Sequence, residues 1–172
     1  MLVNLIVAID KNNGIGKNNG IPWHFSQDMT YFKNHTKGAG NNAIIMGKNT
    51  YLSIGKRLPY RDNIVLSTTL DKNNVDKKVF LCRDMEEIDI LLNKHNYDSV
   101  WVIGGSNIYN CFLEIPHKIN KIFITEIDNE YDCDTFFPTL IPVEFVLTTS
   151  YTSYENNTLL KFNIFENKLY MH

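Results

Sequence analysis

Five runs of consecutive apolar residues limit what this chain can fold into: NLIVAID (4–10), NAIIMG (42–47), NIVLST (63–68), SVWVIGG (99–105) and KIFITEI (121–127). A strand with one wet face alternates apolar and polar side chains. Unbroken runs of this length belong to strands covered on both faces, as in a parallel sheet. Parallel neighbours need long crossovers, usually helices, and the intervening segments predict helices over 26–37, 48–53, 84–95 and 106–113. In the third of these, Asp84 stands as N-cap, Glu86 and Glu87 fill the first turn, and Lys94 and His95 close the end. Each charge there suits the helix dipole. The end of the chain differs, because EFVLTTSYTSY and TLLKFNIFENK flank the turn-prone ENN and read as an antiparallel hairpin. The expected fold class is α/β: a mixed, mostly parallel sheet of about eight strands with a C-terminal antiparallel hairpin, flanked by about four helices. It is expected as one domain over residues 1–172. The Asn-rich stretches KNNGIGKNNG and DKNNVDKK read as loops.

Charge narrows the partners. Seventeen Lys and Arg face 19 Asp and Glu, a net charge of −2. That gives no electrostatic case for nucleic acid or an anionic membrane. No apolar stretch approaches the roughly 20 residues of a spanning helix, and MLVNLIVAID lacks the charged start and cleavage site of a signal peptide. Cys82, Cys111 and Cys133 are odd in number and far apart, which fits reduced thiols rather than a disulfide framework or a metal site. A cytoplasmic protein, or a nucleocytoplasmic one in a larger cell, is the expectation.

Residues with chemical potential gather where the apolar runs end. In IMGKNTY (45–51), Gly47 leads into Lys48, Asn49 and Thr50, which place a lysine, a hydroxyl and free amides in one turn. In VIGGSNIY (102–109), Gly104 and Gly105 stand between strand and helix, without forming the G-x-G-x-x-G fingerprint. Two anion sites of this kind suit an extended ligand with several phosphates, such as a dinucleotide. A tight turn at the paired glycines and a solvated lysine at 48 remain the plainer alternatives. Arg61, after the turn in LPYR, is placed to grip a carboxylate, unless it is a surface arginine. In GIPWHFSQDM (20–29), Asp28 shares a helical stripe with Phe25, Met29 and Phe32. An acid walled by aromatics suits paired hydrogen bonds to a planar, nitrogen-rich ring, and burial raises its pKa. A simple charge at the helix start would instead be exposed.

Taken together, VAIDKNNGIGKNNGIPWHFSQDMTYF, IIMGKNTYLSIGKRLPYRDNIVLS, VWVIGGSNIY and TEIDNEYDCDTFFP resemble dihydrofolate reductase, in the family's order and spacing. The resemblance implies reduction of 7,8-dihydrofolate to tetrahydrofolate with NADPH, with hydride passing to C6 and a proton to N5. It implies that Asp28 bonds the pterin and supports its protonation. Trp23 orders water nearby, after Pro22, and Ile21 rides a mobile loop over the nicotinamide. The substrate would meet Ala8 and Ile9, the apolar walls Met29, Phe32, Ile54 and Leu58, the arginine Arg61 at its glutamate tail, and Thr125 behind the acid. The cofactor would lie along Ala8, Ile15, Gly47, Lys48, Asn49, Thr50, Leu66, Ser67, Thr68 and Arg83 on one side. On the other stand Ile103, Gly104, Gly105, Ser106, Asn107, Ile108 and Tyr109, with the two glycines joined by a cis peptide in most of the family. Dihydrofolate and antifolate inhibitors are the implied partners, and a monomer the implied state. Three positions depart from the family pattern: Tyr60 where glycine often precedes the arginine, Thr68 where some members have arginine, and Asp84 where a small hydroxyl residue is common. Two other readings stay open: a same-fold reductase of another pterin or of a ribosylaminopyrimidine, and a non-catalytic folate- or nucleotide-binding protein.

Overall fold

All five apolar runs are strands in the computed structural model of the chain, which describes residues 1–138 and 141–172. In chain order the elements are β1 (Val3–Ile9), β2 (Gly14–Gly16), α1 (Ser26–Lys37), β3 (Asn42–Gly47), α2 (Lys48–Ile54), β4 (Asp62–Leu66) and β5 (Val79–Cys82). Then follow α3 (Met85–Lys94), β6 (Ser99–Gly104), α4 (Ser106–Leu113), β7 (Ile119–Ile127), β8 (Thr135–Phe136), β9 (Phe145–Glu155) and β10 (Thr158–Asn167). Eight strands form one sheet in the order β5–β4–β3–β6–β1–β7–β10–β9. The first six of that order run parallel, and β10 pairs antiparallel with β7 and β9.

Burial explains the unbroken runs. Every residue of β3 is buried, because helices cover both faces of the sheet there. Alternate residues serve opposite layers. Leu5, Val7, Ile45 and Val102 pack with Ile88 and Leu92 of α3 and Phe112 of α4. Ile6, Ile44, Met46 and Trp101 pack on the other side with Tyr31 and Phe32 of α1 and Tyr51 of α2. Full burial of each such aliphatic side chain contributes about 1.5–3 kcal/mol.

Two loops hold more structure than expected. DKNNVDKK leads into β5, whose four residues are too short a run to stand out; pairing with β4, from Asn63↔Val79 to Leu66↔Cys82, defines that strand. The centre of KNNGIGKNNG is β2, which pairs with β8. Asp10 ties that loop down by accepting the backbone N–H groups of Asn12, Gly14 and Tyr131 at 2.9, 2.7 and 3.1 Å. Burial alone would raise its pKa; the N–H donors outweigh that and hold it below the usual carboxylate value. Helices α1 and α4 have the expected bounds, and α2 runs one residue longer than expected. Asp84 is the N-cap of α3, accepting from Glu87 N at 2.8 Å, while His95 falls just past the helix end. No helix among the described residues is long and apolar enough to cross a membrane.

His35 on α1 is half-buried among the rings of Tyr31, Phe123 and Trp101, with centroids at 4.4, 4.9 and 5.7 Å. Burial holds its pKa below the ordinary histidine value. The unfolded chain takes up a proton near pH 6.5, so this contribution to stability is whole above that pH. It is lost as pH falls through the lowered folded value. In His35→Phe, the gap between melting temperatures at pH 8 and pH 5.5 should narrow relative to wild type. A gap of unchanged size would mean His35 takes no part in acid sensitivity.

Candidate active site

The sheet parts along one seam. β1 stays paired with β7 as far as Ile9↔Glu126, but its pairing with β6 covers only Asn4↔Trp101 and Leu5↔Val102. β6 continues with β3 to Met46↔Gly104. The carboxyl ends of β1 and β6 therefore diverge, and open α/β sheets bind ligands in such a crevice. Tyr109, buried on α4, donates its hydroxyl to Ile6 O at 2.7 Å, just past the last β1–β6 pair.

Asp28 stands on the α1 side of the seam. It is half-buried and hydrogen-bonded by the hydroxyl of Thr125, which is 2% exposed and faces Ala8 across the β1–β7 ladder. Burial raises the Asp28 pKa, the Thr125 bond pulls it back, and the charge of Glu155 raises it further; the net direction is up. The stripe expected around it needs correction. Phe32 packs on the core with Ile54, Leu58 and Ile103, but Met29 is 54% exposed and opens towards solvent. The face that α1 buries is made by Tyr31, Phe32, His35 and Thr36, with Asp28 at its rim. Trp23 lies against Tyr131 at 5.0 Å and joins Ala8 beside Phe25. Ile9 is buried and Ile21 is 68% exposed.

Arg61 is no surface arginine. It is 7% exposed, with Nε donating to Pro59 O and Nη1 to Thr36 Oγ1, both at 2.8 Å. Thr36 Oγ1 in turn donates to Phe32 O at 2.8 Å, so the guanidinium is set against the helix that carries Asp28. Asn63, fully buried, holds the Arg61 loop by bonding Leu58 N, Leu58 O and Arg61 O. Among the described residues the second amino nitrogen has no hydrogen-bond partner, and burial lowers the Arg61 pKa without threatening its charge.

Across the seam, β3 and β6 end in Gly47 and Gly104. A Cβ on Gly47 would meet Ile108 Cγ1 at 2.9 Å. Gly104 has φ +112°, a Cβ there would meet the Tyr109 ring at 3.0 Å, and the Gly104–Gly105 peptide is cis. Ile108 and Tyr109 thus support the groove from behind, as buried side chains. Lys48, Thr50, Gly105 and Ser106 are half-exposed and Asn49 and Asn107 exposed along it, with Ile15 and Leu66 half-buried. Ser106 donates its hydroxyl to Phe136 O. Lys48 Nζ reaches Thr69 Oγ1 at 3.2 Å, while Arg83 Nη1 donates to Ser67 O and Leu70 O at 2.9 and 2.7 Å. The Ser67 hydroxyl oxygen accepts from Thr69 N and Leu70 N, and Thr68 is exposed. Two cations thus meet one hydroxyl-bearing turn. Arg83 is partly committed to that turn's carbonyls, a restraint the sequence did not reveal.

A family model described as dihydrofolate reductase matches residues 2–167. The chain is 43% identical over 136 residues to the dihydrofolate reductase of Staphylococcus haemolyticus, covering 79% of this chain and 76% of that one. It is 39% identical over 145 residues to the Drosophila melanogaster dihydrofolate reductase, covering 80% and 79%. The viral dihydrofolate reductase of Saimiriine herpesvirus 2 is 34% identical over 183 residues, covering 96% and 85%. The chain belongs to the dihydrofolate reductase family.

Within the dihydrofolate reductase frame, the departure at position 60 has a backbone cause. Tyr60 has φ +64°, a conformation that glycine adopts without strain. Its ring is 68% exposed and sits under Lys37 Nζ, 4.8 Å from the centroid, so it turns outward and leaves Arg61 in place. Asp84 is turned to the α3 amides, away from the cation-bearing turn. Sequence reasoning missed Tyr31, Thr36, Asn63, Thr69, Tyr131 and Glu155. Thr36, Thr69, Tyr131 and Glu155 serve residues far away in the chain, whereas Tyr31 and Asn63 act locally but carry no pattern that marks them. For Gly104→Ala, the positive φ and the Tyr109 ring together predict a loss of about 1–3 kcal/mol. Thermal unfolding measures it. A variant melting with wild type would show that the ring yields freely.

Proposed function

We propose that the chain reduces 7,8-dihydrofolate to tetrahydrofolate with NADPH. The observation that carries this reading is Asp28, half-buried near the start of α1 with a raised pKa, together with a buried arginine bonded to Thr36 near the end of the same helix. A carboxylate there can accept two hydrogen bonds from the amino group and ring N–H of an aminopterin. With its proton affinity raised by burial above that of an ordinary carboxylate, it can also support protonation at N5. Arg61, with its second amino nitrogen unbonded among the described residues, suits the carboxylate at the far end of an elongated substrate. Phe32, Ile54 and Leu58 offer apolar walls between the two polar ends. Exposed Ile21 and Met29 would lose water contact once the cleft fills.

A dinucleotide suits the groove because glycines end β3 and β6 along it and two cations meet one turn at its end. Lys48, Thr50, Gly105 and Ser106 would hold the phosphates, while Lys48, Thr69 and Arg83 favour the extra phosphate of NADPH over NADH. Bound there, the reduced nicotinamide supplies the hydride for C6. Trp23, packed on Tyr131, would restrict water beside the ring. Asp28, Arg61 and both halves of the groove come from one chain, which supports a monomer as the working unit, and we place it in the cytoplasm.

The test is loss of reduced-nicotinamide absorbance with NADPH and dihydrofolate, abolished by an antifolate. Asp28→Asn should lower kcat at pH 7 by about 100-fold or more, with partial recovery towards acid pH and NADPH affinity kept. Near-normal turnover at pH 7 would remove Asp28 from the chemistry. Arg61→Ala removes a charge-assisted contact of about 1.5–3 kcal/mol, so dihydrofolate should bind about tenfold or more weaker. A diaminopyrimidine without a tail should bind as before; equal losses for both ligands would assign Arg61 to the fold alone.

A further inference from the structure

Helix α1 begins without a local cap. Its N-cap position is Phe25, which offers no side-chain acceptor, yet the first N–H groups of a helix need one. The acceptor comes from far along the chain. Glu155, the last residue of β9, takes Ser26 N on Oε2 at 2.7 Å and Gln27 N on Oε1 at 2.9 Å. Gln27 Nε2 adds a bond to Tyr154 O at 3.0 Å. The reach is set by the tight β9–β10 turn, where Asn156 and Asn157 both have positive φ, at 50° and 60°. The hairpin tip is thus fastened to the very turn that presents Asp28, one residue past Gln27.

Two effects follow from one carboxylate. It fixes the first turn of α1 in place. It also offsets that turn's positive end, which would otherwise favour the charged form of an acid located in the turn. We propose that Glu155 is a positioning residue for the reaction: it seats the α1 N-terminus against the C-terminal hairpin and keeps that positive end from drawing the proton off Asp28. This rests on the reading of Asp28 as the proton-holding carboxyl.

The groups facing Asp28 from the surrounding elements are Thr125 of β7, Tyr109 of α4, Tyr31 on α1 itself, and Tyr151 and Glu155 of β9. The three phenols are pushed up and stay neutral, and Thr125 donates a hydrogen bond, so Glu155 supplies the charge that raises the proton affinity of Asp28.

The test uses the full chain with carboxyl-13C aspartate, followed by NMR titration; the Asp28 signal is the one missing from Asp28→Asn. In Glu155→Gln, which keeps one acceptor oxygen, its midpoint should fall by about 0.2–0.7 pH unit. Glu155→Asp keeps the charge and should lie between that variant and wild type. In turnover, Glu155→Gln should lose about 1.5- to fivefold in kcat above the midpoint. Its curve should rejoin wild type at acid pH, with KM for NADPH unmoved. An Asp28 midpoint equal to wild type in both variants, or an activity loss equal at every pH, would overturn the proposal. The titration needs no turnover. A chain that failed to reduce dihydrofolate would sink the reductase reading, and the Asp28 midpoint would still decide the role of Glu155.

Discussion

The seam between β1 and β6 is the constraint on which the site depends. A parallel sheet has no edge in its middle, and a ligand can enter only where neighbouring strands part. Here β6 leaves β1 after Leu5↔Val102 and follows β3 to Gly104. Closing the seam from behind then falls to a side chain, and the Tyr109 hydroxyl on Ile6 O does it. That bond brings the ring close under Gly104, where a Cβ would meet it at 3.0 Å on a backbone of positive φ. Gly104 thus answers to a packing demand behind the groove.

At both ends of the sheet, buried amides and carboxyls hold loops that apolar packing cannot hold. Asn63 at the start of β4 fixes the turn from Leu58 to Arg61. Asn42 at the start of β3 bonds Thr36 O and accepts from Ser99 N, joining the end of α1 to the sheet. Asp10, just beyond β1, gathers three backbone N–H groups from two loops. Each is buried with its polar atoms bonded, the condition under which burial of such groups stabilises rather than costs. All three lie at strand ends, where the backbone leaves the sheet and its own partners run out.

This pattern shows what the sequence could and could not reveal. The unbroken runs were legible because double burial removes every polar residue from a strand, as in β3. Helix α3 was legible because its cap, Asp84, is local. β5 was missed because four residues at the sheet edge carry too little burial to mark them. Asp28 could be singled out as a misfit on an apolar stripe, and Arg61 by its place between a turn and a strand. Their remote partners Thr36 and Glu155 could not, since an ordinary threonine or glutamate acquires its role only when the fold brings it close, and Asn63, although local, looks like any turn asparagine. Tyr60 was legible as a departure, though its positive φ was not, and that angle is what accounts for glycine's suitability there.

The first turn of α1 shows why such remote partners have chemical weight. An acid at a free helix start gains about 0.3–1 kcal/mol from the positive helix end. A hydrogen bond from Thr125 acts in the same direction, towards the charged form. Burial acts against both, and its sign wins at Asp28 only because the other pulls are limited. A local serine or aspartate cap at position 25 would have satisfied the helix, but a side chain there would have replaced Phe25, which is 5% exposed and anchors the apolar cluster beside Trp23. Placing the cap on the hairpin resolves that conflict. Phe25 keeps the packing, Glu155 supplies the negative charge, and Asp28 is left half-buried with its pKa raised. The antiparallel hairpin added to an otherwise parallel sheet therefore does more than finish the edge: its length and its Asn156–Asn157 turn bring a carboxylate to the helix start.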